Sequence, residues 1–300
     1  MAEIKNLPNL IIIGAPKCGT TSLFNYLGQH NDIYLSKIKE PHFLVNKKIG
    51  TKRLKSLITS LKDYHNLFDS EDNYKYKLEA SALYLFYADE FVKNAKKVLE
   101  KDVKIIVCLR NPVERSYSAY NHLKRYNIFE NLTFEDALKK EKNRFENDKF
   151  ISPAAKYFEI GLYYQKIKKI LHNFHKVKII IYEEFVSNPN KVLKECTDFL
   201  EIDSFNFKTN KVYMKGGWRW KSKYLKQIAR SFNILRLLNL LLGPKFAKWV
   251  KSIVLDMSTY KISEMNVKTK KILSEKYSED IDKLSKLLNR DLSIWKNESC

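Results

Sequence analysis

The chain has 300 residues, of which 44% are hydrophobic and 13% aromatic. This composition supports a sizeable core and argues against a disordered chain, and the length allows one large domain or two small ones. Lysine and arginine number 55 against 34 acidic residues, and the formal net charge of +21 indicates anionic partners. Nucleic acid, an anionic membrane, a polyanionic glycan and a phosphorylated cofactor all fit this charge, as does a basic surface without a ligand.

The four cysteines show neither a CxxC pair nor the spacing of a metal site. Cys108 lies in an apolar run and Cys196 in a helical pattern, so buried thiols and a reducing compartment are expected. The sequence shows no signal peptide and no apolar stretch long enough to span a bilayer. We therefore expect a cytoplasmic protein.

The first chemical feature in chain order is a glycine-containing loop. Isoleucines at 11–13 lead into Gly14, the loop carries Lys17 and Gly19, and hydroxyl residues at 20–22 open an apolar-periodic segment. This order predicts a strand, a tight turn and a helix whose N–H groups point at an anion. The glycine spacing matches a Walker A loop, but the lysine lies inside the loop instead of after the second glycine. The loop suits phosphate without being a standard triphosphatase loop; a turn without a ligand is the alternative.

A possible acid–base cluster follows. Lys39, Glu40 and His42 lie within four residues, after a short extended segment at 32–35. Pro41 disfavours helix at Glu40, so an ordered loop is expected. A carboxylate, an imidazole and an amine at this spacing suit proton transfer, whereas an ordinary surface turn is the alternative.

Two further apolar runs predict core strands at 103–109 and 177–182. The near-continuous run at 103–109 suits a parallel sheet covered on both faces. Arg110 follows it at the carboxyl edge, where open α/β sheets bind ligands. Pro112 then begins a helix that carries Ser118, and an arginine and a hydroxyl that converge there could hold a phosphate.

Helix signals continue to the C-terminus. A capping box begins at Thr133, Asn188 caps another helix, and residues 273–288 form an amphipathic pattern. Residues 224–254 mix leucines with basic residues and tryptophan, so they either pack on the core or lie on a membrane surface. The alternation of strands and helices predicts a single α/β domain over residues 1–300, with a central parallel sheet flanked by helices and a P-loop-like loop after the first strand.

The loop from Gly14 to Thr21 resembles the 5′-phosphosulfate loop of sulfotransferases that use 3′-phosphoadenylyl sulfate (PAPS), which reads Gly-x-Pro-(Lys/Arg)-x-Gly-Thr-(Thr/Ser). The Arg-Asn-Pro-x-x-Arg-x-x-Ser segment from Arg110 to Ser118 resembles the family's 3′-phosphate motif. Both motifs in the right order are more specific than either alone. The resemblance is closest to bacterial and heparan-sulfate-type glycan sulfotransferases. It covers nearly the whole chain and is weakest in 45–76 and in the apolar, basic segment 221–265.

The resemblance implies in-line sulfuryl transfer from PAPS to a hydroxyl or amine, with PAP as the product and no metal. Glu40 would be the general base, Lys17 would stabilise charge on the departing phosphate oxygen, and His42 would support Glu40 or be the base itself. The cofactor-binding residues implied are Lys17, Cys18, Gly19, Thr20, Thr21, Ser22, Arg110, Ser118, Lys215 and Gly216.

The acceptor is less defined. Ala80 stands where the family often has a lysine near the acceptor, so another lysine would have to replace it. The acceptor would be a glycan, a lipid-linked or a small molecule, with peripheral membrane contact through 224–254 in the lipid-linked case and no nucleic acid. The acceptor-binding residues implied are Lys39, Ser81, Tyr84 and Tyr163.

Two other interpretations stay open. A P-loop kinase or nucleotide hydrolase predicts Lys-Ser/Thr after the second glycine and a magnesium-binding carboxylate at a strand end, and the sequence shows neither. A non-catalytic module that binds nucleic acid or membranes would use only the basic charge.

Overall fold

The computed structural model describes residues 7–54, 56–70, 72–126, 130–211, 213, 216–220 and 259–296. The strands are Leu10–Ile12 (β1), Ile33–Leu35 (β2), Tyr76–Ala80 (β3), Lys104–Leu109 (β4), Val177–Ile181 (β5), Trp218–Trp220 (β6) and Thr259–Lys261 (β7). The first five form one sheet in the order β2-β3-β1-β4-β5, and β6 and β7 form an antiparallel pair. Every pairing in the five-stranded sheet is parallel, so the predicted α/β class is confirmed.

Helices connect these strands. The α-helices of the described residues are Thr20–Leu27 (α1), Asn46–Ile49 (α2), Leu61–Asn66 (α3), Ala88–Val98 (α4), Pro112–Tyr126 (α5), Phe134–Lys139 (α6), Glu141–Asn147 (α7), Tyr157–Gly161 (α8), Tyr164–Asn173 (α9), Tyr182–Ser187 (α10), Pro189–Leu200 (α11) and Val267–Leu288 (α12). Short 3-10 helices lie at Phe43–Val45, Pro153–Ala155 and Ser293–Trp295.

The core sits on both faces of the sheet. Every residue of β1 and of β4 is buried. Because successive side chains of a strand point to opposite faces, this burial requires cover on both sides. The apolar runs at 10–13 and 103–109 therefore form the centre of the molecule, as their composition predicts.

The two predicted N-caps are confirmed. The Thr133 hydroxyl accepts the Asp136 N–H at 3.2 Å, and the Asn188 side chain accepts the Lys191 N–H at 3.1 Å, as expected of N-caps. The helix after Thr133 ends at Lys139, so α7 is a separate helix.

The segment 221–258, which includes most of the apolar, basic segment and all of 224–254, lies outside the described residues. In the part of the chain that is described, no helix is both long and apolar enough to cross a bilayer.

Candidate functional site

One large cleft opens at the carboxyl edge of the sheet. β1 lies between β3 and β4, so the chain turns to opposite sides of β1, and open α/β sheets bind ligands at such a point. Lys17, Ala82 and Arg110, which follow β1, β3 and β4, all line this cleft. Its volume is about 1940 Å³, against roughly 300–1,000 Å³ for a typical small-molecule site. The cleft therefore has room for a cofactor and an acceptor together.

The loop after β1 is anchored to β4 and leads into the uncapped N-terminus of α1. The Gly14 carbonyl accepts the Cys108 N–H, and the Ala15 N–H donates to the Cys108 carbonyl, both at 2.7 Å. A Cβ atom on Gly14 would lie 2.6 Å from the Ala82 carbonyl oxygen, so only glycine fits there. Gly19 precedes α1 in the left-handed region with φ 83°, and α1 has neither a side-chain cap nor an acidic residue in its first turn. The first N–H groups of α1 and its positive dipole end are thus available to an anion.

Cationic side chains converge on this loop. Lys17 Nζ lies 3.3 Å from His122 Nδ1. Burial, followed by the charges of Arg125 and Arg110, lowers the pKa of Lys17 to about 8. Burial, Lys17 and Arg125 likewise lower the pKa of His122 to about 3, so this imidazole is neutral at pH 7. Burial is the larger cause of both depressed pKa values, and the neighbouring cations add to it; a bound polyanion would offset the charge of these cations.

Sequence reasoning missed His122 and Arg125, although a signal existed. Both lie on α5, four and seven residues after Ser118, so they share its helix face. Ser118 and both of these residues line the cleft. The periodicity of α5 could have extended the predicted phosphate site by two turns.

Arg110 lies where the sequence predicts it, at the end of β4. Its Nη1 is 3.5 Å from the Lys17 carbonyl oxygen, and its Nη2 is 3.8 Å from a carboxylate oxygen of Glu114. Its guanidinium carbon lies 4.7 Å from the ring centre of Tyr182, which also lines the cleft. Arg110 therefore borders the anion loop, and Ser118 lies two turns along α5.

Glu40 is an ionised carboxylate that lines the same cleft. Its Oε1 lies 2.5 Å from Lys39 Nζ, and its Oε2 lies 3.2 Å from His42 Nε2 and accepts the Ala82 N–H at 2.8 Å. Burial works to raise the pKa of Glu40, but Lys39, His42 and these hydrogen bonds outweigh it and hold the pKa below its usual value. One third of the side chain is exposed, at 33%. Glu40 can therefore accept a proton from a group in the cleft.

His42 supports Glu40 from behind. It is 5% exposed, and burial lowers its pKa, although Glu40 works in the opposite direction. Its backbone N–H donates to Ser81 Oγ at 3.0 Å. A neutral, buried imidazole whose Nε2 faces the carboxylate suits an orienting role better than the role of base.

Two predicted acceptor residues do not reach the cleft. Ser81 and Tyr84 are fully buried. Ser81 Oγ donates to Glu79 at 2.7 Å while accepting from His42, and the Tyr84 hydroxyl accepts the Leu44 N–H at 3.3 Å. Their burial rules out direct acceptor contact in this structure, so they position the segment that carries Glu40 and His42.

Tyr163 and Cys18 are also fully buried. The Tyr163 hydroxyl donates to the Arg110 carbonyl at 3.0 Å, and the Cys18 N–H donates to the Ala15 carbonyl at 3.3 Å. Neither residue faces the cleft, so the expected acceptor contact of Tyr163 and cofactor contact of Cys18 do not fit their positions. Both instead support the loops that carry Arg110 and Lys17.

Lys215, a predicted cofactor-binding residue, lies outside the described residues. Ala80, which stands at the position of the family's lysine, is fully buried at the end of β3. Across the described ranges, no group of His, Cys, Asp or Glu side chains is placed to hold a metal ion. The predicted residues that the structure does bring to the cleft are Lys17, Gly19, Thr20, Thr21, Ser22, Lys39, Glu40, His42, Arg110, Ser118 and Gly216.

Known proteins resemble this chain over most of its length. Human carbohydrate sulfotransferase 15 is 26% identical, over 82% of this chain and 55% of that protein. Mouse heparan sulfate glucosamine 3-O-sulfotransferase 3B1 is 30% identical, over 67% of this chain and 48% of that protein. This chain thus spans about half the length of the curated relatives it matches.

A solved structure agrees with these relatives. The sulfotransferase from Alicyclobacillus acidocaldarius superposes with a TM-score of 0.75 at 29% identity, covering 97% of this chain and 99% of that one. The family model described as the sulfotransferase domain matches residues 7–233. The chain therefore belongs to the sulfotransferase domain family.

Proposed function

We propose that this protein transfers a sulfuryl group from PAPS to a hydroxyl or amine of a glycan acceptor, with Glu40 as the general base. The observation that carries the proposal is one cleft with two kinds of lining. One part of the lining offers N–H groups and the Lys17 amine to an anion, and another part offers the ionised Glu40 carboxylate. When bound, PAPS would supply the sulfuryl group and leave as PAP.

On the cofactor side, Lys17 and the first N–H groups of α1 would hold the 5′-phosphosulfate. They would also stabilise the negative charge that builds on the phosphate oxygen during transfer, because fixed donors aimed at developing charge lower the barrier. Arg110 and Ser118 would hold the 3′-phosphate by charge-assisted hydrogen bonds. Gly216 lines the same cleft.

On the acceptor side, Glu40 would take the proton from the attacking hydroxyl or amine. Lys39 and His42 keep its carboxylate ionised and oriented, so the base is ready at neutral pH. Two observations support a glycan acceptor. Relatives of this chain are named carbohydrate and heparan sulfate sulfotransferases. The cleft is also lined by two lysines besides Lys17 and Lys39, namely Lys52 and Lys270. A lipid-linked glycan would fit the predicted membrane contact of 224–254.

Calorimetric titration separates this proposal from its rivals. We expect PAP and PAPS to bind more tightly than ATP with magnesium or single-stranded DNA. A kinase or hydrolase would prefer ATP with magnesium, and a basic binding module would take DNA without discriminating between the nucleotides. Labelled PAPS incubated with glycans, lipids and small alcohols should then label the acceptor, and no transfer to any class would count against the proposal.

Glu40→Gln tests the base directly. Turnover should fall about 10²-fold or more because the amide cannot accept the proton, while PAP affinity should stay the same. Glu114→Gln is the matched control, since Glu114 also lines the cleft but lies beside Arg110. Unchanged turnover in Glu40→Gln would remove Glu40 from the mechanism.

A further inference from the structure

A half-exposed aromatic side chain stands in the cleft wall without a role in the chemistry described above. Phe150 is 55% exposed and lines the same cleft as Glu40. It lies on the loop between α7 and the 3-10 helix Pro153–Ala155. Single exposed apolar residues are common on protein surfaces, so exposure alone assigns nothing.

The loop around Phe150 is held firmly by one arginine. Arg53 Nη1 donates to the carbonyls of Asp148 at 3.0 Å and Ile151 at 2.9 Å, and its Nη2 donates to the carbonyl of Phe145 at 2.8 Å. Its guanidinium also lies 3.7 Å from the ring centre of Phe145. These contacts fix the backbone on both sides of Phe150. The backbone that carries the ring is thus held in place before a partner binds, which lowers the entropy cost of ordering this loop on binding.

Arg53 also connects this loop to the wall that carries Glu40. Ile58, five residues after Arg53, contacts the residues that follow Glu40: its N–H donates to the Pro41 carbonyl at 3.1 Å, and its carbonyl accepts the Asn46 side-chain amide at 2.8 Å. Phe150 is therefore connected through Arg53 and Ile58 to the part of the cleft that carries Glu40.

The surroundings of Phe150 indicate what the ring would meet. The lining residues of the two segments that carry Arg53 and Phe150 combine the polar or cationic Lys52, Arg53, Ser56 and Ser152 with the apolar Leu54 and Ala154. One aromatic face among polar groups matches a pyranose ring, which has an apolar C–H face and a rim of hydroxyls. An alkyl chain would favour a continuous apolar lining, whereas here Arg53, Ser56 and Ser152 interrupt the apolar residues.

We propose that Phe150 is a sugar-stacking platform for the acceptor, and that Arg53 is the positioning residue that presents it. The platform binds a pyranose ring of the acceptor chain while another part of that chain reaches Glu40. The role of this sugar as the sulfate acceptor rests on the proposed function, but the binding of a sugar at Phe150 does not require catalysis. The platform thus selects saccharides over simple alcohols.

The test measures binding and turnover separately. Phe150→Ala, Phe150→Trp and the control Ile294→Ala are titrated by calorimetry with heparan sulfate and chondroitin sulfate oligosaccharides, with decanol and with PAP. Ile294 is a matched control because it is 53% exposed and does not line the cleft. Phe150→Ala should weaken oligosaccharide affinity and raise the acceptor KM about tenfold, because a ring-stacking contact is lost, without changing PAP affinity. Phe150→Trp should retain affinity, and Ile294→Ala should behave as wild type.

Several outcomes would overturn the platform: oligosaccharide affinity unchanged in Phe150→Ala, an equal loss of PAP affinity, no oligosaccharide bound by wild type, or Phe150 dependence for decanol alone. Arg53→Met tests positioning, and its effect should be less than additive with that of Phe150→Ala because both act through the same ring. Sugar binding that depends on Phe150 in a protein that never transfers sulfate would reject the proposed function and keep the platform. Sulfate transfer by the wild type, together with sugar affinity that is unchanged in Phe150→Ala, would reject the platform and keep the proposed function.

Discussion

Lys17 should take up a proton when an anionic nucleotide binds in the cleft. Its pKa is about 8, because burial and the charges of Arg125 and Arg110 disfavour the protonated amine. A bound phosphate or phosphosulfate would place negative charge beside the amine and offset the two arginines, so the pKa would rise. Any unprotonated Lys17 would then gain a proton on binding.

The size of the effect follows from the pKa. With a value of about 8, the unprotonated fraction of Lys17 is about 10% at pH 7, about 50% at pH 8 and about 90% at pH 9. If binding returns Lys17 to full protonation, the number of protons taken up per PAP bound should rise with pH as this unprotonated fraction does. His122 would give the opposite trend, because its pKa of about 3 lies below this range and any uptake there would fall as the pH rises.

Calorimetry in two buffers with different ionisation enthalpies, such as HEPES and Tris, measures this uptake at each pH. We expect uptake to increase from pH 7 to pH 9 in wild type and to lose this increase in Lys17→Met. A flat or falling profile in wild type, or the same rise in Lys17→Met, would refute the reasoning that the cleft depresses the pKa of Lys17 and that an anion relieves it.

Two further variants test the proposed 3′-phosphate site and the loop after β1. Arg110→Ala should weaken PAP binding about 10- to 100-fold, since charge-assisted hydrogen bonds to a phosphate are lost. The PAP affinity of Arg110→Lys should lie between that of Arg110→Ala and that of wild type. Equal affinities of all three proteins in calorimetry would remove Arg110 from the 3′-phosphate site. Gly14→Ala should lower the free energy of unfolding by more than about 1 kcal/mol, because its Cβ would lie 2.6 Å from the Ala82 carbonyl oxygen at φ 145°. Wild-type stability in denaturant unfolding would contradict that account of the loop.

The sequence alone determined those features whose physical cause lies within a few neighbouring residues. The buried runs that form β1 and β4, the glycines at 14 and 19, and the N-caps at Thr133 and Asn188 are all of this kind. From them, together with family resemblance, the parallel sheet and part of the cleft lining, including Lys17, Glu40 and Arg110, could be predicted. Cytoplasmic location stays a prediction.

The tertiary structure decided which groups meet and which are hidden. Lys17 and His122 are 105 residues apart in sequence, yet their nitrogens lie 3.3 Å apart. Short motifs also could not tell that Ser81 and Tyr84 point into the core and away from the acceptor, because burial depends on how distant segments pack. The same holds for Arg53, which reaches 98 residues along the chain to hold the loop that presents Phe150. Pair distances and solvent exposure are properties of the packed chain, so local pattern could name the chemistry of this site but could not assemble it.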